Sequence, residues 1–100
     1  MKVQLSRSAL NDLDGIAGWI ARDDPERALT FVAALRAKCA ELATRHAVFP
    51  YARGYESSGL RRRLHGAYLI FYVVRGETVR IMHVVHSRRD YDRILSGGKD

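Results

Sequence analysis

Residues Ala67 to Val74 are apolar at every position, and this run constrains the fold more than any other feature of the chain. Its eight residues are far fewer than the roughly 20 a membrane-spanning helix needs. Tyr68, Ile70, Tyr72 and Val74 alternate with Leu69, Phe71 and Val73, so a strand made from this run is apolar on both faces. A strand of that kind must be covered from both sides, which predicts a central position in a sheet. The neighbouring segments Leu60–His65 and Thr78–His86 have the pattern of its partners. Gly66 breaks the chain before it, and Arg75-Gly76-Glu77 has the chemistry of a hairpin turn after it.

The N-terminal half has a different period. Val3 and Leu5 alternate with Lys2 and Gln4, predicting a short first strand. Ser6 then offers a hydroxyl N-cap to a helix whose apolar stripe is Leu10, Leu13, Ile16, Ala17 and Ile20. Trp19 falls at the margin of the stripe and is expected to be a partly buried anchor. This helix should end near Arg22–Asp23. Asp24-Pro25-Glu26 starts another: an Asp cap, a proline at the first helical position and an acid facing the helix dipole. Its stripe is Ala28, Phe31, Val32, Leu35, Cys39, Leu42 and Ala43, which makes the lone cysteine a small core side chain. So short a connection predicts an antiparallel helical hairpin. From His46 to Gly59 the periodicity stops, and Phe49, Tyr51 and Tyr55 are available to pin a loop to the body. Ser87–Leu95 closes the chain with a short helical segment, Ile94 and Leu95 turned inward.

The expected architecture is α+β: an N-terminal strand, then an antiparallel helical hairpin packed on a curved antiparallel sheet, then a short C-terminal helical segment. One domain over residues 1–95 is expected, followed by a flexible tail at 96–100. One hundred residues with 47% hydrophobic side chains can build one core. A single cysteine can form neither an internal disulfide nor a cysteine-rich zinc site. Gln4, Ser6 and Arg7 stand where a signal peptide needs apolar residues, so a cytoplasmic protein without a membrane segment is expected.

The net charge of +6 is unevenly placed. Between residues 60 and 93 there are eight arginines and three acids, which accounts for five of the six surplus charges. Arginine is the planar, bidentate donor for phosphate and carboxylate, so the surplus points to an anionic partner, either nucleic acid or an acidic protein segment. A merely solvated basic face is the alternative. Two clusters concentrate this chemistry: Leu60-Arg61-Arg62-Arg63-Leu64-His65, and His83-Val84-Val85-His86-Ser87-Arg88-Arg89-Asp90-Tyr91. On a strand, Arg61, Arg63 and His65 share one face, and Arg62 shares the other with Leu60 and Leu64. If the clusters meet across the sheet they form a concave basic face, on which Arg61, Arg63, His86 and Tyr91 make a metal-free RNA-cleaving set. One group would deprotonate a ribose 2′-OH, the arginines would hold phosphorane charge, and His86 or Tyr91 would protonate the leaving oxygen. Against this, Arg88–Asp90 could simply tie the C-terminal segment to the sheet. No phosphate-binding glycine loop is present, and the four histidines are scattered over separate elements, so neither a metal nor a cofactor is expected.

Leu5-Ser6-x-x-Ala9-x-x-Asp12-Leu13-x-x-Ile16-x-x-Trp19-Ile20 and Pro25-x-x-Ala28-x-x-Phe31-x-x-x-Leu35 open the chain. Gly59-Leu60-Arg61, Tyr68-x-Ile70-Phe71-Tyr72 and Ile81-x-His83-Val84-Val85-His86, leading to Arg88, Arg89, Asp90 and Tyr91, follow. In order and spacing this set resembles the ParE-like branch of the RelE/ParE toxin superfamily over residues 2–95.

The resemblance implies a bacterial type II toxin and a cognate antitoxin encoded beside it. In such hetero-oligomers the antitoxin wraps the toxin with an acidic, amphipathic C-terminal segment and binds operator DNA through its own N-terminal domain. Trp19, Arg62, Arg80 and Arg88 are expected to meet the antitoxin. ParE-like members poison DNA gyrase without known need of catalytic residues, whereas RelE-like members cut mRNA on the ribosome. Gyrase inhibition is the expected activity, with Arg61, Arg63, His86, Arg88, Arg89 and Tyr91 contacting the target. The ribosome-dependent endonuclease is the alternative, with Arg61, Arg63, His86 and Tyr91 as its groups. The absence of lysine between Lys38 and Lys99 departs from the nuclease pattern. A protein that has lost toxicity is a third reading.

Overall fold

The computed structural model describes residues 1–96, in the order β1 (Lys2–Leu5), α1 (Arg7–Ala21), α2 (Pro25–Arg45), a 3-10 turn (Glu56–Ser58), β2 (Arg61–His65), β3 (Tyr68–Arg75), β4 (Thr78–His86) and α3 (Tyr91–Leu95). The expected tail at 96–100 lies, from residue 97 on, outside the described residues, and Ser96 donates its backbone N–H to the Asp92 carbonyl at 3.0 Å.

Both helix starts follow from local chemistry. Ser6 Oγ accepts the Ala9 N–H at 3.0 Å and donates to the Met82 carbonyl at 2.9 Å, so one buried hydroxyl caps α1 and ties it to β4. Asp24 Oδ1 accepts the Arg27 N–H at 3.1 Å, with Pro25 just inside α2.

The sheet order is β1-β4-β3-β2, with β3 internal as its two apolar faces require. The β2–β3 and β3–β4 pairs are antiparallel, joined by two-residue turns whose first residues, Gly66 and Gly76, both have a φ of +59°, a region that suits glycine. The sheet is mixed, however, and not wholly antiparallel: β1 runs parallel to β4, Lys2 opposite Thr78 and Leu5 opposite Ile81. The helical hairpin and two further strands lie between them in sequence, so no tight turn constrains their direction.

One face of the sheet carries Ile70, Tyr72, Val79, Ile81 and Val84 against Ala9, Leu13 and Ile16 of α1 and Leu35, Cys39 and Leu42 of α2. On the other face Leu69, Phe71, Val73 and Val85 are covered by Ala52, Leu60, Tyr55 and the α3 side chains Tyr91, Ile94 and Leu95. The stripe of α1 is Ala9, Leu13, Ile16 and Ile20. Leu10, expected inside, is 41% exposed, and Trp19, expected as a partly buried anchor, is 66% exposed. Each sits about 90° from the centre of that stripe at 100° per residue, too far round to reach the sheet.

Between Phe71 and Tyr72 the β3–β4 register shifts, leaving Met82 as an extra residue. Beside this bulge the Asp12 carboxylate reaches from α1: Oδ2 accepts the Val84 N–H at 2.8 Å and lies 3.1 Å from His83 Nδ1. No helix among the described residues is long and apolar enough to cross a membrane.

Candidate functional site

Strand alternation turns Arg61, Arg63 and His65 toward the helices, as their parity requires, and there they meet structural partners. The Arg63 guanidinium is buried. Nη1 donates to the Lys38 carbonyl at 3.0 Å, Nη2 to Glu41 Oε1 at 2.9 Å, and the group stands 4.6 Å from the centre of the Phe49 ring. Arg61 stacks 4.0 Å over the Tyr51 ring and donates to the Phe49 carbonyl. Tyr72, wholly buried, donates its hydroxyl to the His46 carbonyl at 2.6 Å. These three side chains fasten the last turns of α2 and the segment after it to the sheet. The bond from Arg63 holds the Glu41 carboxyl below its ordinary range, and burial pushes the Tyr72 phenol up to about 12.

The second cluster divides between the two faces. The His86 ring lies edge-on to Tyr68 at 5.2 Å, on the side where Phe31 packs against Tyr68 at 5.4 Å and His65 at 6.0 Å. Tyr91 packs on Phe71 at 5.3 Å, within the opposite core. His86 Nδ1 accepts the Arg88 N–H at 3.1 Å, which in the neutral ring leaves the proton on Nε2. Nε2 is then a donor, which suits the acid role named for His86 and not that of a base taking a ribose proton.

Arg61, Arg63, His86 and Tyr91 therefore do not converge. Arg61 and Arg63 are bound to the loop and α2, His65 separates them from His86 along the register, and Tyr91 lies behind β3. The concave basic face expected from the two clusters is absent because β3 stands between β2 and β4 and the arginines turn into the helix interface. One cross-cluster meeting does occur, on the outer face: Arg62 and Tyr91 line a recess with Arg53 and Asp92. Asp92 is engaged there by the Tyr55 hydroxyl at 3.2 Å.

Arg80 is exposed opposite Val73, and Arg88 and Arg89 are exposed after β4. Trp19, with the Arg22 guanidinium 5.1 Å from its ring centre, overlooks a groove floored by Tyr68 and His86. One arm of the groove runs past Arg27 and Phe31, the other past Asp12, Ile16 and Arg89. Phe31, Tyr68 and Arg27 were not legible as groove residues, because their spacing serves the helix and strand stripes equally well. Among the described residues, no three His, Cys, Asp or Glu side chains are grouped as metal ligands.

Fold and surfaces together define a small basic α+β protein with a helical hairpin on a mixed sheet and a surface richer in arginine than in convergent acid–base groups. Residues 3–91 match the family model described as ParE toxin of type II toxin-antitoxin system, parDE, and the chain belongs to that family. Its fold is similar to that of a solved chain described as "Chromosomal ParDE TA system from P. aeruginosa", with a TM-score of 0.73 at 21% identity over 86% of this chain and 95% of that one. No curated protein matches the chain in sequence.

Proposed function

We propose that the protein is the toxin of a toxin–antitoxin pair, that it inhibits DNA gyrase by occupying a surface of it, and that an antitoxin with an acidic segment neutralises it in the cytoplasm. Operator DNA would be bound by the antitoxin alone. Membership of the ParE toxin family supports the toxin reading. The observation that carries the choice of target is the engagement of the two candidate phosphorane-binding arginines: Arg63 is buried against Lys38 and Glu41, and Arg61 is held by Tyr51 and Phe49. His86 then keeps Arg27 and Arg89 in its groove while Tyr91 lies on the opposite face of the sheet with Arg53 and Arg62, so no single phosphate meets the acid, the base and the two arginines that the cleavage set requires. A surface inhibitor needs no such convergence, and Trp19, Arg88 and Arg89 remain exposed for contact.

The test is biochemical. Purified protein is added to gyrase with plasmid DNA, and in parallel to a translating extract. Loss of supercoiling or trapping of cleaved DNA, with translation continuing, is the expected result. Intact gyrase activity alongside mRNA cut on ribosomes would establish the endonuclease alternative instead.

A further inference from the structure

The two arms of the helix-side groove share one set of rings. Trp19, Tyr68 and His86 line both; Arg27 and Phe31 complete one arm, of about 450 Å³, and Arg89 the other, of about 610 Å³. Each volume is within the range of ligand pockets. The floor is a continuous aromatic surface, with Phe31 5.4 Å from Tyr68 and Tyr68 5.2 Å from His86. Trp19 is the exposed wall beside it, and Arg22 stands over the indole at 5.1 Å.

The cations of this groove have little to hold them. Among the described residues, Arg22, Arg27 and Arg89 form no salt bridge. Two of the three carboxylates in the lining are engaged elsewhere. Asp24 accepts the Arg27 N–H, and Asp12 accepts the Val84 N–H and meets His83. Asp23 alone is left to oppose the arginines. His86, whose Nδ1 accepts the Arg88 N–H, adds a donor at Nε2 in its neutral form.

This combination selects its ligand. The face of an aromatic ring is negative, so the rings disfavour the carboxylates of an acidic peptide, whereas a nucleobase stacks on them. Guanidinium groups suit phosphate oxygens. With the rings common to both arms and one arginine in each, the order cation, ring, cation matches phosphate, base, phosphate along a polynucleotide. A duplex keeps its bases inside the stack and presents none to the groove.

We propose that this groove binds single-stranded nucleic acid, with one unpaired base stacked among Trp19, Tyr68 and His86 and the flanking phosphates on Arg27 and Arg89. The His86 Nε2–H donates to a base or phosphate oxygen. The proposal is independent of gyrase as the target and of duplex operator recognition.

Trp19 is the sole tryptophan of the chain, so its fluorescence reports on the groove. The full chain is titrated at low salt with an oligothymidylate of about eight nucleotides, a length that single-strand grooves cover. Saturable quenching of the Trp19 emission is expected. Binding of a labelled strand, followed by anisotropy, should weaken about tenfold or more in Trp19→Ala, with Trp19→Phe recovering part of the loss. Arg27→Gln and Arg89→Gln should each reduce the slope of log K against log salt by about 0.7. Thymidine monophosphate, and the same strand paired with oligoadenylate, should bind about tenfold more weakly or worse. Unchanged emission, or equal binding by wild type and Trp19→Ala, overturns the proposal, because the strand then lies elsewhere or does not bind. Three other results overturn it as well. Equal affinity for the duplex would make charge alone the cause, equal affinity for the mononucleotide would make the groove a nucleotide pocket, and equal quenching by an oligoglutamate of the same length would make it a peptide site.

Discussion

Arg63 shows how far one side chain can be read from sequence. Parity places it on the same face as Arg61 and His65, and the structure agrees. The sequence cannot show that Lys38 and Glu41, 25 and 22 residues earlier, reach it first. Arg63→Ala should destabilise the fold by about 1–3 kcal/mol in urea unfolding, because the Lys38 carbonyl and the Phe49 ring lose a partner each. Arg63→Lys should recover only part of that loss, since an ammonium cannot donate in two fixed directions. Two buried weak acids predict a limit in alkali. Burial raises the Cys39 thiol from 9.0 to about 11 and the Tyr72 phenol from 10.0 to about 12. Both are neutral in the folded state at pH values where the unfolded chain has begun to ionise. Their contribution is complete below the unfolded values and is lost as pH rises through the folded ones. Thermal midpoints should therefore be insensitive to these groups up to about pH 9 and fall above it, and Cys39→Ala should flatten the first part of the decline.

At the scale of elements, the parts with local signals were legible. Ser6 and Asp24 mark the helix starts, glycine marks both hairpins, and the double-sided apolar run marks the internal strand. Pairings made at long range were not. The parallel contact of β1 with β4 leaves no turn to recognise, and Asp12 reads as a surface acid of α1 although it closes a backbone donor 72 residues away. Removing its carboxylate orphans the N–H of a buried strand residue. Asp12→Ala should cost about 1–3 kcal/mol and speed exchange at the Val84 amide, while Asp12→Asn, which retains an acceptor oxygen, should restore most of the protection.

For the whole molecule, the surplus of arginine was legible and its division between two faces was not. Trp19 and His86 belong to the helix-side groove, whereas Arg62, Arg80 and Tyr91 lie on the outer side of the sheet. A partner touching both sets must pass around an edge of the sheet. Its association rate should fall as salt rises from low ionic strength to about 0.15 M, where exposed charges are screened beyond about 8 Å, while apolar contacts hold the dissociation rate nearly constant. Stopped-flow mixing at several salt concentrations measures both, and an association rate indifferent to salt would contradict the role given to the arginines.

The proposed gyrase inhibitor would act by contact and not by acid–base chemistry. The most direct measurement is a dose–response of gyrase inhibition by wild type, His86→Ala and Tyr91→Phe, each verified as folded. A lost contact of about 1 kcal/mol shifts the midpoint roughly fivefold and leaves complete inhibition at higher concentration. That graded outcome is expected for both variants. Loss of activity by a factor of about 100 or more that no concentration restores would be the mark of a general acid or base, and would contradict the account.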